Sequence, residues 1–337
     1  MTLDTRLGLA LAPGGVSIPE GRIAVFGPRA GQSLEGLPMD RVEVITGFFP
    51  DHAHFEGRGY SCRFEPEGFY AAALVVLPRA KALARSWVAM AAAAANGPVL
   101  VDGAKETGVE SLLRDCRRRV EVEGRINKAH GKLFWFEGGD FADWLPGPAN
   151  RVDGFVTAPG TFSADGIDPA SALLAASLPE TLGARIVDLG AGWGYLSAAA
   201  LERKGVKAVE LVEAERAALD CARRNITDPR AVFHWADATT WRPEARVDAV
   251  VTNPPFHTDR KADPELGRAF IRSAAAMLTP RGQLWLVANR HLPYERVIAD
   301  LFDDHREVAG TGAFKVIRAS GPRADGPSRH RRHNSLV

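Results

Sequence analysis

Residues 186–194 read Ile186-Val187-Asp188-Leu189-Gly190-Ala191-Gly192-Trp193-Gly194, an apolar run that breaks into three glycines at alternate positions before a helical stretch over 195–204. Such a run marks a buried strand turning sharply into a helix, and the glycines let a ligand approach the backbone with no β-carbon in the way. The spacing is GxGxG, with Tyr195 where the dinucleotide fingerprint GxGxxG has its third glycine. Asp188, on the strand just before the turn, would repel a pyrophosphate and suits a cationic group. Alone, GxGxG is a weak signal that a plain strand-to-helix turn also produces.

Outward from this turn, strand-length apolar runs alternate with helical stretches. Strands are predicted over 185–189, 208–213, 247–252 and 283–288, and helices over 195–204, 215–225 and 265–278. This is the alternation of a doubly wound parallel sheet covered on both faces. It closes differently, with 307–310 and 313–319 separated by a short glycine-containing link, which predicts an antiparallel pair at one edge. Glu213 ends the second strand, where a carboxylate can accept from two ribose hydroxyls, and Asp237 follows the third, where it could accept from an adenine amino group. Each acid alone reads as a solvated loop residue; together they stand at the carboxyl ends of successive strands, where ligands bind in open α/β sheets.

Asn253-Pro254-Pro255-Phe256 follows the strand 247–252 directly. Consecutive prolines donate no backbone hydrogen bonds and fix an extended turn, so carbonyl groups can face a ligand. The exocyclic amine of a base, or an amide, is a poor nucleophile because its lone pair is delocalised. An asparagine oxygen and a proline carbonyl can accept its two hydrogens and turn the lone pair toward an electrophile while an aromatic ring stacks on the base. Following a GxGxG turn, with Glu213 and Asp237 between in order, this tetrapeptide resembles that of the class I S-adenosylmethionine-dependent methyltransferases that act on exocyclic amines. The cationic amino-acid end of S-adenosylmethionine is the group that Asp188 suits.

Four further segments narrow the resemblance: residues 159–168 (Pro-Gly-Thr-Phe-Ser-Ala-Asp-Gly-Ile-Asp), His257 extending the tetrapeptide to NPPFH, residues 288–294 and residues 312–316. All resemble the RsmC family of 16S ribosomal RNA guanine-N2 methyltransferases and its large-subunit relative. The resemblance implies two tandem Rossmann-like α/β domains, the C-terminal one catalytic and the N-terminal one a degenerate copy that supports folding and RNA binding. It implies that Asp188, Gly190, Gly192, Gly194, Glu213, Asp237 and Asn253 hold S-adenosylmethionine. Asn253 and Pro254 would grip the guanine amine, with Pro255 fixing the turn and Phe256 stacking on a flipped-out base. Phe162 either covers cofactor or base or belongs to the core; His257 orients substrate or is structural; Arg290 and Lys315 are candidate phosphate contacts.

The domain boundary is expected at the Pro- and Gly-rich segment 145–150, giving 1–150, 151–319 and a basic tail, 320–337, expected to be unstructured. The first half shows the alternation more faintly, as a strand over 72–77, an Ala-rich helix over 79–95 and a strand from residue 99. Its Gly27-Pro28-Arg29-Ala30-Gly31 is no GxGxG, and its strand 72–77 ends in Pro78-Arg79 with no Asn-Pro-Pro, so methyl transfer is not expected there.

The 337 residues, 46% hydrophobic and 25% charged, suit two globular domains and exclude a mostly disordered chain. A formal charge of +1 argues against tight binding to any nucleic acid by charge alone, so RNA recognition has to be local and shape-dependent. The longest apolar stretch, residues 87–95, is too short to span a bilayer and no signal peptide opens the chain, so a cytoplasmic, monomeric protein acting on ribosomal RNA or the small subunit is expected, away from membranes. Cys62, Cys116 and Cys221 form no CxxC pair, and His52 and His54 have the spacing of a strand-borne metal pair but lack a third ligand, so no metal is expected. Alternative substrates are a large-subunit guanine, adenine N6 or a protein glutamine amide; an alternative of another class is a non-catalytic assembly factor that keeps the cofactor pocket.

Overall fold

The computed structural model describes the chain apart from residues 1, 2, 148, 256, 259, 260, 263 and 324–337. The chain forms two compact units that divide after Asn150.

The first unit contains α1 (Leu3–Ala10), β1 (Ile23–Phe26), β2 (Val42–Ile45), α2 (Phe49–Gly57), β3 (Ser61–Arg63), β4 (Ala72–Val76), α3 (Lys81–Ala94), β5 (Val99–Ala104), α4 (Val109–Cys116), β6 (Gly124–Lys128) and β7 (Gly131–Phe136). The second contains the ribbon β8 (Asn150–Val152) and β9 (Phe155–Thr157), then α5 (Pro169–Ser177), β10 (Arg185–Leu189), α6 (Tyr195–Leu201), β11 (Ala208–Glu213), α7 (Arg216–Asn225), β12 (Ala231–Trp235) and β13 (Val247–Thr252). A short ribbon of β14 (His257–Thr258) and β15 (Lys261–Ala262) leads to α8 (Pro264–Met277), β16 (Leu278–Asn289), α9 (Glu295–Leu301), β17 (Phe302–Gly310) and β18 (Phe314–Pro322).

Both main sheets have seven strands in the same spatial order. It runs β3-β2-β1-β4-β5-β7-β6 in one unit and β12-β11-β10-β13-β16-β18-β17 in the other. The first five strands of each are parallel and the last two form the antiparallel edge. The alternation of side chains along a strand feeds two cores per sheet. In β1, Ala24 and Phe26 join Val88 and Leu113 on one face, while Ile23 and Val25 join Leu3 and Leu7 on the other. In β10, Val187 and Leu189 pack with Ile271, and Ile186 with Leu174 and Leu196. Strands buried on both faces read as continuous apolar runs, which is why their bounds were legible.

The shared topology permits a comparison by register. Phe26 pairs with Ile45 and Val75, and Leu189 pairs with Val212 and Thr252. Aligning Phe26 with Leu189 sets Val25 against Asp188, Gly27 against Gly190, Thr46 against Glu213 and Val76 against Asn253. The first unit therefore keeps the turning glycine, with φ +63° at Gly27 and +75° at Gly190, and has valine, threonine and valine where the second has Asp188, Glu213 and Asn253. No α-helix stands between β1 and β2 among the described residues, so the helix that follows the glycine turn in the second unit has no counterpart there.

What the first unit buries instead is an ion pair. Arg6 on α1 donates from its guanidinium to both carboxylate oxygens of Asp102 on β5, at 2.6 and 2.8 Å, with both side chains 2% exposed. Asp102→Ala leaves the arginine buried without its counter-ion and is expected to cost about 3–5 kcal/mol. A denaturant midpoint unchanged by that substitution would show that the pair does not hold α1 to the sheet.

His52 and His54 lie on α2, where i, i+2 positions point to different sides; among the described residues no group of potential ligands could hold a metal ion. One expectation is corrected. The tail begins later than residue 319, because β18 continues to Pro322 and Arg323 is held by Asp303 and by the carbonyls of Leu301 and Ala299. Its remainder, 324–337, lies outside the described residues. No described helix is long and apolar enough to cross a membrane.

Candidate active site

The glycine turn sits at the carboxyl end of β10. Gly190, Gly192 and Gly194 have φ of +75°, +56° and +95°, conformations that a side chain disfavours, and a β-carbon at Gly194 would also come within 2.8 Å of Ile226. The turn is fastened to β11 by the Gly190 and Ala191 amides, which donate to the Val212 carbonyl at 2.9 and 3.1 Å.

Two carboxylates face this turn. Asp188 is fully buried; one oxygen accepts from the Ser197 hydroxyl on α6 at 2.6 Å and the other, Oδ1, has no partner. Burial pushes the Asp188 carboxyl up to about 7, the Ser197 hydrogen bond opposing this and the Glu213 charge adding to it. Glu213 accepts from the Gly192 amide through Oε2 and the Glu215 amide through Oε1, both at 2.8 Å. Burial raises it too, against the pull of the Glu215, Gly192 and Ala214 amides. Asp237 lies beyond β12, where its carboxylate caps a turn by accepting from the amide and hydroxyl of Thr239 at 2.8 and 2.7 Å.

Asn253 leaves the end of β13 beside the turn, and Pro254 behind it is buried while Pro255 is exposed. Its amide nitrogen donates to Asp168 Oδ2 and to Ser171 Oγ, each at 2.9 Å. Phe256 lies outside the described residues, and of the His257 side chain nothing is described. One cleft is lined by Phe162, Asp168, Ser171, Gly190, Gly192 and Asn253 together with neighbouring residues. The glycine turn and the asparagine, which sequence could only place in order, thus share a wall. Phe162 is 56% exposed at the rim, which settles it as a cleft residue and not a core one.

A match to the methyltransferase small domain model spans residues 153–318. Curated relatives include the ribosomal RNA small subunit methyltransferase C of Salmonella choleraesuis (strain SC-B67) and that of Salmonella typhimurium (strain LT2). Each is 32% identical over 231 residues, matching 65% of this chain and 66% of the relative, just under two thirds of the relative's length. Among solved structures, the T. thermophilus 16S rRNA N2 G1207 methyltransferase (RsmC) in complex with AdoMet and guanosine aligns with a TM-score of 0.78 and 26% identity. That alignment covers 94% of this chain and 91% of the other. In sequence and in fold the chain is similar to the RsmC-type class I methyltransferases.

Within the stretch matched by the methyltransferase small domain model, several site residues carry no motif of their own. Asn225, at the end of α7, accepts from the Val156 amide at 2.6 Å and donates to the carbonyls of Val156 and Trp193 at 2.9 and 2.8 Å. It ties β9 to the glycine turn. Trp193 donates from Nε1 to the Phe162 carbonyl at 3.0 Å, so the rim segment is fastened to the same turn. Asp168 accepts from the Ser171 amide at 2.7 Å and caps α5; an aspartate one residue before Pro169 was a legible helix start, though not a legible site residue.

One of the two phosphate candidates is corrected. Lys315 is 4% exposed, and its ammonium donates to the Leu292 carbonyl at 2.8 Å and pairs with Glu295, so it is not offered to solvent phosphate. Arg290 is exposed; it pairs with Glu307 and donates to the Thr311 and Phe314 carbonyls at the β17–β18 hairpin.

Proposed function

We propose that this protein transfers a methyl group from S-adenosylmethionine to the exocyclic N2 amine of a guanosine in ribosomal RNA, that of the small subunit. The observation that carries this reading is the shared cleft: the glycine turn and Asn253 line it together at the carboxyl ends of β10 and β13, and Asp188 and Glu213 stand behind the turn. The residues suit the cofactor. The unpartnered Asp188 Oδ1 is an acceptor in want of a cationic donor. Glu213 keeps unused lone pairs for ribose hydroxyls beside its two amide donors. Asp237 stands one strand further along for the adenine.

When bound, S-adenosylmethionine supplies a methyl on a sulfonium centre, an electrophile whose leaving group is a neutral thioether. The chain's part is to hold the amine. Asn253 Oδ1 and the Pro254 carbonyl accept its two hydrogens, which directs the nitrogen lone pair at the methyl carbon. The nitrogen–carbon bond forms as the carbon–sulfur bond breaks, and the ammonium proton leaves to water; no strong base is needed. The first unit, which has Val25, Thr46 and Val76 at the positions of Asp188, Glu213 and Asn253, takes no part in this chemistry and serves as a scaffold and RNA-facing support.

The test is transfer of labelled methyl to unmethylated small and large subunits and to their free RNAs, followed by nucleoside analysis. N2-methylguanosine from the small subunit is the expected product. The same nucleoside from the large subunit, N6-methyladenosine, or label in protein glutamine would move the substrate to that class. Tight cofactor binding with no label anywhere would leave a non-catalytic assembly factor.

A further inference from the structure

We infer that Asp168 is a positioning residue for Asn253, fixing which end of the asparagine amide meets the substrate. The inference rests on the amine-methylating reading above and names a group that this reading does not use.

An asparagine amide is nearly symmetrical in shape, and its two ends have opposite chemistry. To grip an amine it has to present oxygen; presenting nitrogen would set donor against donor. Nothing in the asparagine itself selects between the two, because a half-turn about its last bond costs little. The choice is made by what lies behind it. Asp168 Oδ2 and Ser171 Oγ each sit 2.9 Å from Asn253 Nδ2, so both amide hydrogens are taken and the oxygen is turned the other way. A carboxylate accepts only, so the flipped amide would set its oxygen against Asp168 and lose a charge-assisted bond. The charge also polarises the amide, drawing electron density toward Oδ1 and strengthening it as an acceptor for the amine.

Asp168 is itself held. Its Oδ2 also accepts the Ser171 amide at 2.7 Å as the cap of α5, and Pro169 stiffens the helix start. One carboxylate oxygen thus couples the first turn of α5 to the end of β13, across 85 residues of sequence.

The two roles of Asp168 separate by substitution. Serine caps helices about as well as aspartate but is shorter and uncharged. Asp168→Ser is expected to keep the melting temperature within about 2 °C of wild type, leave the KM for S-adenosylmethionine within about twofold, and lower kcat about tenfold. In an Asn253→Ala background it is expected to change kcat no further, since there is no amide left to orient. The Asn253 side-chain NH₂ resonances, read by NMR without any RNA, should move on Asp168→Ser. An equal kcat in Asp168→Ser, a full tenfold loss also in the Asn253→Ala background, or unmoved NH₂ resonances would each overturn the role of Asp168. Those results differ from a wild-type enzyme inactive on every RNA, which would overturn the functional reading itself.

Discussion

Asn253→Ala is expected to lower turnover by at least tenfold and toward the roughly 10²–10³-fold losses seen when a single preorganised polar group is removed from a reacting centre. Affinity for S-adenosylmethionine should weaken far less. The asymmetry follows from where Asn253 stands. Its amide nitrogen is committed to Asp168 and Ser171, so the oxygen is the end left for the substrate amine, and that contact strengthens as the amine gains positive charge in the transition state. Single-turnover methyl transfer and cofactor calorimetry on the same variant separate the two effects. Equal turnover would sink the assignment of Asn253, and a parallel loss of cofactor affinity would make it a binding residue.

The second large effect concerns Asp188, where stability and binding are expected to move in opposite directions. A buried carboxyl whose folded pKa lies at about 7, against about 3.9 in the unfolded chain, favours the folded state in its neutral form. That contribution is fully present below about pH 4 and is lost as the pH rises through 7. The ligand-free wild type should therefore lose roughly 2–4 kcal/mol from this group across that window. Asp188→Asn, which cannot ionise, should lack that slope. The same substitution is expected to weaken S-adenosylmethionine binding at least a hundredfold, because the oxygen without a partner, Oδ1, is the one a cationic ligand would meet. Thermal melts of both proteins between pH 5 and 8, with cofactor titrations at pH 8, give both readouts. Retained affinity would mean that the pocket lies elsewhere, and an unchanged pH slope would mean that Asp188 is not the titrating group.

The Asp188 result bears on why the acid persists at such a site. A hydrophobic residue there is compatible with the fold, as Val25 shows at the corresponding register position of the first unit. Burying a carboxylate with one oxygen unpartnered is costly unless a ligand supplies the missing donor. The two units are thus an internal control. The same sheet order is built twice, once with a buried acid, a glycine cradle and a following helix, and once with valine, threonine and a 3₁₀ turn, at residues 39–41, before β2. Fold and chemistry separate within one chain.

Much of this was legible in the sequence because the information is local. Parallel strands buried on both faces appear as continuous apolar runs, so 185–189, 208–213 and 247–252 could be bounded to the residue. Three glycines at alternate positions announced a turn of positive φ, and Asn-Pro-Pro announced a rigid exit from a strand. The resemblance to the RsmC family followed from those motifs and their order. What the sequence could not decide was how side chains far apart in the chain pair with one another. Lys315 resembled a free cation and is buried against Leu292 and Glu295. Phe162 could have been core and is exposed at the cleft. Asp168 carried the signature of a helix cap and also orients an amide 85 residues away. Backbone conformation is governed by neighbours a few positions apart, so periodicity and turn residues reveal it; the burial of a charge and the partner of a hydrogen bond depend on long-range packing, and only the folded chain sets them.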